Sequence, residues 1–184
     1  MPASVEMLSV RPVTRERAED LNLRNDPFLQ PGRLIPRLEE GVWSYRIDWS
    51  DSPGEMAFPQ ERYDYEALAK DSLMLGAYRG DTCLGLAIYQ PGFFNYMYLL
   101  DLKVSAAARR QGVGRALIRR GMEEARDRDY GGVYLQAQDN NLGACLFYLS
   151  VGFRIGGFDN RVYTGSPQAG KGDILFYGDW KDIL

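Results

Sequence analysis

Apolar positions in this chain switch between a period of two and a period near 3.6, and the switches mark its elements. Three short apolar blocks lie at close spacing: Leu73 to Tyr78, Cys83 to Tyr89 and Tyr96 to Val104. The turns between them, Arg79-Gly80-Asp81 and the stretch around Pro91-Gly92, are too short for a crossover, so the blocks predict antiparallel strands. Strict alternation in the third block places Tyr96, Tyr98, Leu100, Leu102 and Val104 on one face and Met97, Leu99, Asp101 and Lys103 on the other. The period then changes. Gly114, Leu117, Ile118, Gly121 and Ala125 form a helical stripe and predict a helix over Gly112 to Arg128. Two glycines on that stripe lower helix propensity by roughly 1 kcal/mol each, which suits a backbone lying close to a neighbour. A strand over Gly132 to Gln138, a helix over Asn141 to Val151 stopped by Gly152, and strands over Phe153 to Phe158 and Asp173 to Tyr177 complete this part.

The first third is less regular. Ser4 to Val13 reads as a strand and Arg15 to about Leu23 as a short helix, followed by breaks at Asn25-Asp26-Pro27 and Pro31-Gly32. Val42, Tyr45, Ile47 and Trp49 give strand-like alternation within Arg33 to Trp49. Ser50 to Gln60 reads as a loop, and Tyr63 to Asp71 as a short helix. The order predicts an α/β (α+β) fold with a mixed, mostly antiparallel central sheet and helices on both faces. At 184 residues, the length predicts a single domain over 1–184, with a core over about 73–177 and N-terminal elements over 1–72.

Composition narrows the chemistry. The net charge is -3, which argues against nucleic acid as a partner. The charge is unevenly spread. Leu38 to Asp71 holds nine acidic and three basic residues, whereas Lys103 to Arg128 holds eight basic and three acidic. Such halves could serve two ligands of opposite charge or could simply be solvated surface. With no histidine, Ser-His-Asp and Cys-His schemes and most catalytic zinc sites are ruled out. The two cysteines, Cys83 and Cys145, lack metal-ligand spacing, so no metal is expected, and Cys145 reads as a helix core residue. No signal-like leader or membrane-length apolar run is visible, so a cytoplasmic location without membrane contact is the expectation.

Two segments carry candidate chemistry. Arg109, Arg110, Gln111, Gly112, Val113, Gly114 and Arg115 join a strand to a helix start. Free N–H groups, the positive helix end and glycines that admit close approach make this a cradle for a diphosphate. Tight packing alone also explains a Gly-x-Gly helix start. The Lys-Ser/Thr of a nucleotide P-loop and the third glycine and distal acid of a dinucleotide fingerprint are missing. The second segment puts Asn141, Ala144, Cys145 and Tyr148 on one helix face. Small Ala144 leaves room for a slender ligand arm, and Tyr148 can reach a leaving group or else anchor the helix as a buried aromatic.

Together these segments resemble the GNAT superfamily of N-acetyltransferases. Arg109 to Gly114 is similar to its Arg/Gln-x-x-Gly-x-Gly/Ala signature, and Asn141-x-x-Ala144-x-x-x-Tyr148-x-x-x-Gly152-Phe153 to its second motif. The flanks Gln138 to Leu142, Ala144-Cys145, Phe147-Tyr148, Gly152-Phe153-x-Ile155-Gly156, Ile35-Pro36-Arg37, Asp159 and Tyr163 resemble the streptothricin acetyltransferases within it. The resemblance implies acetyl-CoA as co-substrate and, as second partner, a small cationic amine: the β-lysine amine of streptothricin. It implies pantetheine binding by the backbone of Leu102, Lys103 and Val104, and a proton from Tyr148 to the departing sulfur. Gln136 stands where relatives often carry a glutamate base, so Asp101 on the neighbouring strand, or water alone, takes that role. Trp43, Tyr45, Asp48 and Trp49, with Asp159, are the candidate aromatic and anionic wall for the amine, and the Trp and Tyr residues read equally as core strand residues. A homodimer is compatible with this reading. Acetylation of a protein or peptide, or acetyl-CoA binding without catalysis, are the alternative functions.

Overall fold

The computed structural model describes residues 6–184. Its central sheet has seven strands: β1 (Leu8–Pro12), β4 (Leu73–Arg79), β5 (Thr82–Gln90), β6 (Tyr96–Val104), β7 (Gly132–Gln138), β8 (Arg154–Asp159) and β9 (Asp173–Asp179). Their spatial order is β1-β4-β5-β6-β7-β9-β8. The β6–β7 pair is parallel and the other pairs are antiparallel. Strand β1 was expected to begin at Ser4, and the first two residues of that expectation lie outside the described ones. A separate two-stranded ribbon is formed by β2 (Phe28–Glu39) and β3 (Val42–Met56). The helices are α1 (Tyr65–Leu68), α2 (Val113–Asp127), α3 (Leu142–Ser150) and α4 (Trp180–Ile183). Among the described residues no helix is long and apolar enough to cross a membrane.

Both faces of the sheet are covered in its first half. Leu75, Ala77, Ala87 and Tyr89 point into the main core with α2 and α3. Met74, Leu86 and Ile88 point the other way, against Leu21 and Val13. This explains why β4 and β5 read as nearly unbroken apolar runs. The stripe glycines of α2 are both accounted for by aromatic neighbours. A Cβ on Gly121 would lie 2.2 Å from the Tyr89 ring and hydroxyl, and a Cβ on Gly114 would lie 3.1 Å from the Phe147 ring. Tyr89 is fully buried and its hydroxyl donates to the Leu117 carbonyl at 3.1 Å, so it cannot retreat. Gly121→Ala is therefore expected to destabilise the protein by about 2 kcal/mol through overpacking, read as a lower denaturant midpoint.

Several local expectations are corrected. The segment Ser50 to Gln60, read as a loop, continues β3 to Met56, with Phe28 paired to Met56 and Gln30 to Gly54. Pro31-Gly32 is a register shift inside β2 rather than a break. A two-stranded ribbon tolerates prolines because each strand has an unpaired edge. The ribbon turns at Glu40 and Gly41, both with positive φ (48° and 80°), as a two-residue hairpin loop requires. The helix expected over Tyr63 to Asp71 is a single turn, α1, capped by the Asp64 carboxylate accepting from the Ala67 N–H at 2.8 Å. Arg15–Asn22 is 3₁₀ helix kinked at Arg17.

Strand β6 departs from strict alternation. Ile88 pairs with Asp101 but Tyr89 pairs with Leu99, so Leu100 is an extra, bulged residue. A bulge reverses the facing of everything beyond it. Leu102 and Val104 consequently join Met97 and Leu99 against the main core, while Asp101 and Lys103 share the opposite face with Tyr98.

Candidate functional site

Strands β6 and β7 pair only over Tyr96–Tyr98 and Gly132–Tyr134. Beyond that they diverge, which leaves one backbone edge of Leu99–Val104 without a strand partner. A cavity of about 310 Å³ occupies this opening. It is bounded by β6 from Tyr98 to Leu102, by β7 from Leu135 to Gln138, and by Asn141, Ala144 and Tyr148 of the α3 segment. Glu61, Tyr163 and Asp173 complete its polar wall.

The start of α2 has the geometry of an anion cradle. Gly112 caps the helix with φ of 81° and no side-chain cap, and Arg110 also has a positive φ of 64°. A Cβ on Gly112 would meet nothing within 4 Å, so the space over the first-turn N–H groups of Val113, Gly114 and Arg115 is open to a ligand. Arg110, Gln111 and Arg115 are exposed beside it. Arg109 departs from the sequence expectation: its guanidinium donates to the Pro27 carbonyl at 2.6 Å and the Asp26 carbonyl at 3.0 Å. It is a clasp that holds the 26–27 segment against the end of β6. Gln111 likewise accepts from Arg79 and donates to the Ala107 carbonyl.

Tyr148 is buried and wedged among Phe147, Phe153 and Phe176, with ring centroids 5.3, 5.7 and 5.8 Å away. Burial, reinforced by the nearby Asp101 charge, holds its hydroxyl proton far more tightly than in a free tyrosine. Asn141 caps α3, its side chain accepting from the Ala144 N–H at 3.3 Å. Cys145 is fully buried, and burial pushes its thiol up to about 12, which leaves it an unreactive core residue.

The face of β6 that the bulge turns toward the cavity carries an ionic cluster. The buried Lys103 ammonium lies 2.6 Å from Glu61 Oε2 and 3.2 Å from Asp101 Oδ2. Tyr63 donates to Asp101 Oδ2 at 3.1 Å and presents its ring to Lys103 at 5.3 Å. Asn25 donates to Glu61 Oε2 at 2.7 Å. Burial raises the Asp101 pKa above its ordinary value, with the Lys103 ammonium pulling the other way. Glu61 is held below its ordinary value: partial burial pushes up, but its bond from Lys103 and its other hydrogen bonds outweigh that.

The candidate amine wall is not assembled at this cavity. Trp43 packs into the main core, and Tyr45 and Asp48 are exposed on β3, where Asp48 pairs with Arg46 at 3.3 Å. The ribbon instead lies on α3, fixed by buried Leu34, whose N–H donates to the Asp139 carbonyl. Asp159 lies outside the cavity lining, accepting from the Arg161 and Val162 N–H groups, but directly across the sheet from Asp173. Glu61, Tyr63, Tyr98 and Asp173 are lining or supporting residues that the sequence left unassigned. Glu61 was legible only as one of many acids in the Leu38 to Asp71 stretch. Asp173 was legible only as an acid opening an otherwise apolar strand.

Comparison with known proteins bears on the whole arrangement. Residues 38–153 match the acetyltransferase (GNAT) family. The chain is 30% identical over 166 residues to streptothricin acetyltransferase A of Bacillus subtilis (strain 168), covering 90% of this chain and 96% of that one. A streptothricin acetyltransferase of Escherichia coli is 28% identical over 59% of this chain and 62% of its own. Among solved structures, a protein assigned as a streptothricin acetyltransferase from Bacillus anthracis str. Ames, in complex with acetyl coenzyme A, superposes with a TM-score of 0.84. It is 26% identical and covers 94% of this chain and 98% of its own.

Proposed function

The chain belongs to the GNAT family of acetyltransferases, and from that premise we propose that it moves the acetyl group of acetyl-CoA to the β-lysine amine of streptothricin. The observation that carries this reading is the acidic lining of the cavity, Glu61, Asp101 and Asp173, in the same cavity that Tyr148 lines. Lys103 lies between Glu61 and Asp101, so three acids face one buried cation, and the net negative balance favours a cationic acceptor over a neutral or anionic one. Relatives named for this antibiotic support the choice.

Each role falls to a residue already placed. The α2 start, with Gly112 and the N–H groups of Val113 to Arg115, would hold the diphosphate, flanked by Arg110 and Arg115. The unpaired edge of Leu102–Val104 would hold the pantetheine arm, and an N–H near the Leu100 bulge would polarise the thioester carbonyl. Acetyl-CoA supplies an acyl group already activated as a thioester. The acceptor must arrive as the free amine, yet at pH 7 only about one alkylamine in a few thousand is neutral. Asp101 accepts that proton, directly or through water, while Lys103 and Tyr63 hold its carboxylate in place. Tyr148 protonates the departing sulfur.

Purified protein with acetyl-CoA is expected to release free thiol when streptothricin is added and not before. No release at millimolar antibiotic removes the substrate assignment. The Asp101 role makes a separate prediction. A base must be deprotonated to act, and burial lifts the Asp101 pKa while Lys103 opposes. The kcat/KM profile should therefore fall as pH drops through a limb above the ordinary aspartate value of about 3.9. Asp101→Asn is expected to abolish that limb; a limb unchanged in the variant assigns it to another group.

A further inference from the structure

Among the described residues three charged side chains are buried: Lys103, Asp139 and Asp173. Lys103 sits between Glu61 and Asp101, and Asp139 pairs with Arg33 at 3.3 Å. Among the described residues Asp173 pairs with no lysine or arginine. A buried carboxylate without a counter-charge is costly, and its setting deepens the imbalance. Asp173 faces Asp159 directly across β8 and β9, so two like charges lie side by side on one face of the sheet. Burial raises the Asp173 pKa; the Tyr163 hydrogen bond opposes this, and the Asp159 and Asp139 charges add to it.

The polar groups around Asp173 form an ordered chain. Tyr163 donates to Asp173 Oδ1 at 2.9 Å, and Gln138 Nε2 donates to the Tyr163 oxygen at 2.9 Å. That direction follows from the acceptor-only character of a carboxylate. It fixes the Gln138 amide so that Oε1 remains as an acceptor, and this atom is buried without a partner in the structure. Asp173, Tyr163 and Gln138 all line the cavity that also holds Tyr148 and Asp101. One anionic acceptor and one unused neutral acceptor, both held in place, can take two of the three N–H donors of an alkylammonium group.

We propose that Asp173, supported by Tyr163 and Gln138, is a subsite for a second ammonium group of the acceptor, distinct from the amine that is acetylated. The subsite selects for dicationic amines and orients them, so that one end is held as the cation while the other is presented to Asp101 and Tyr148. The inference rests on the acetyltransferase reading for the identity of the second amine, but its test does not depend on turnover of streptothricin.

The probes are L-lysinamide and L-norleucinamide, which share an amide and a four-carbon side chain and differ by the terminal ammonium group. Their affinities for the CoA-loaded protein are measured by calorimetry. The wild-type protein is expected to bind lysinamide at least about 10-fold more tightly than norleucinamide. Asp173→Asn should bring the two affinities together, and Asp173→Glu, which keeps the charge, should restore most of the difference. Thermal melting of each variant confirms that it is folded. Equal binding of the two probes by the wild type, or a preference that survives in Asp173→Asn, overturns the subsite. So does an Asp173→Asn variant that keeps its probe preference while losing turnover equally on every amine, since that is the signature of a proton acceptor. Streptothricin turnover by the wild type decides the substrate assignment separately.

Discussion

Tyr148→Phe is expected to lower kcat by about 100- to 1,000-fold while leaving the KM for acetyl-CoA close to that of the wild type. The Tyr148 ring is held by Phe147, Phe153 and Phe176, and phenylalanine preserves those contacts. The substitution thus removes one hydroxyl and little else. That hydroxyl is kept protonated by burial and by the Asp101 charge, so at neutral pH it is a donor. A thiolate leaving without a proton is a poorer leaving group than a thiol, and the donor lowers the barrier only as charge builds on sulfur. An interaction made only in the transition state appears in kcat and not in ground-state binding. Steady-state thiol release checks this, and a loss of less than about 3-fold removes Tyr148 from the proton-transfer role.

The second large effect is expected at the cradle. Gly112→Val should raise the KM for acetyl-CoA by about 30- to 150-fold, with a smaller change in kcat. Gly112 has φ of 81°, and a Cβ there would have no neighbour within 4 Å. For the protein alone the substitution therefore carries only backbone strain, of order 1–2 kcal/mol. For a diphosphate the added side chain stands over the N–H groups that would bind it. Losing charge-assisted hydrogen bonds there is worth about 2–3 kcal/mol. Calorimetric CoA binding and thermal melting separate the two effects. Weakened binding in a variant that melts only a few degrees lower, as that strain predicts, supports the cradle, and equal CoA affinity in the variant places the phosphates elsewhere.

Both Tyr148 and Gly112 are visible in the sequence because local structure alone defines them. Tyr148 lies one turn beyond Ala144 on a short helix that Asn141 caps, and Gly112 stands just before an apolar helical stripe, where an N-cap residue is expected. Gln136 was equally visible as a departure, and β7 does carry it along the cavity. The acceptor side was not accessible in the same way. Trp43, Tyr45 and Asp48 have the right residue types, but where a two-stranded ribbon docks is set by long-range packing, here Leu34 and Trp43 against the main core.

The amino-acid sequence by itself determined the mostly antiparallel sheet, the α2 glycine start and the α3 face with Tyr148, because each is written in spacings of a few residues. Tertiary structure alone decided the Leu100 bulge, which one extra residue in β6 creates and which no alternation pattern discloses. By turning Asp101 and Lys103 to the cavity side, the bulge brings them to Glu61 and Tyr63, about 40 residues earlier in the chain. It likewise took the pairing of β8 with β9 to set Asp173 beside Asp159 and leave it without a cation. Ionic partners are chosen by proximity in space, and proximity across the sheet depends on register, which is settled only when the strands have packed.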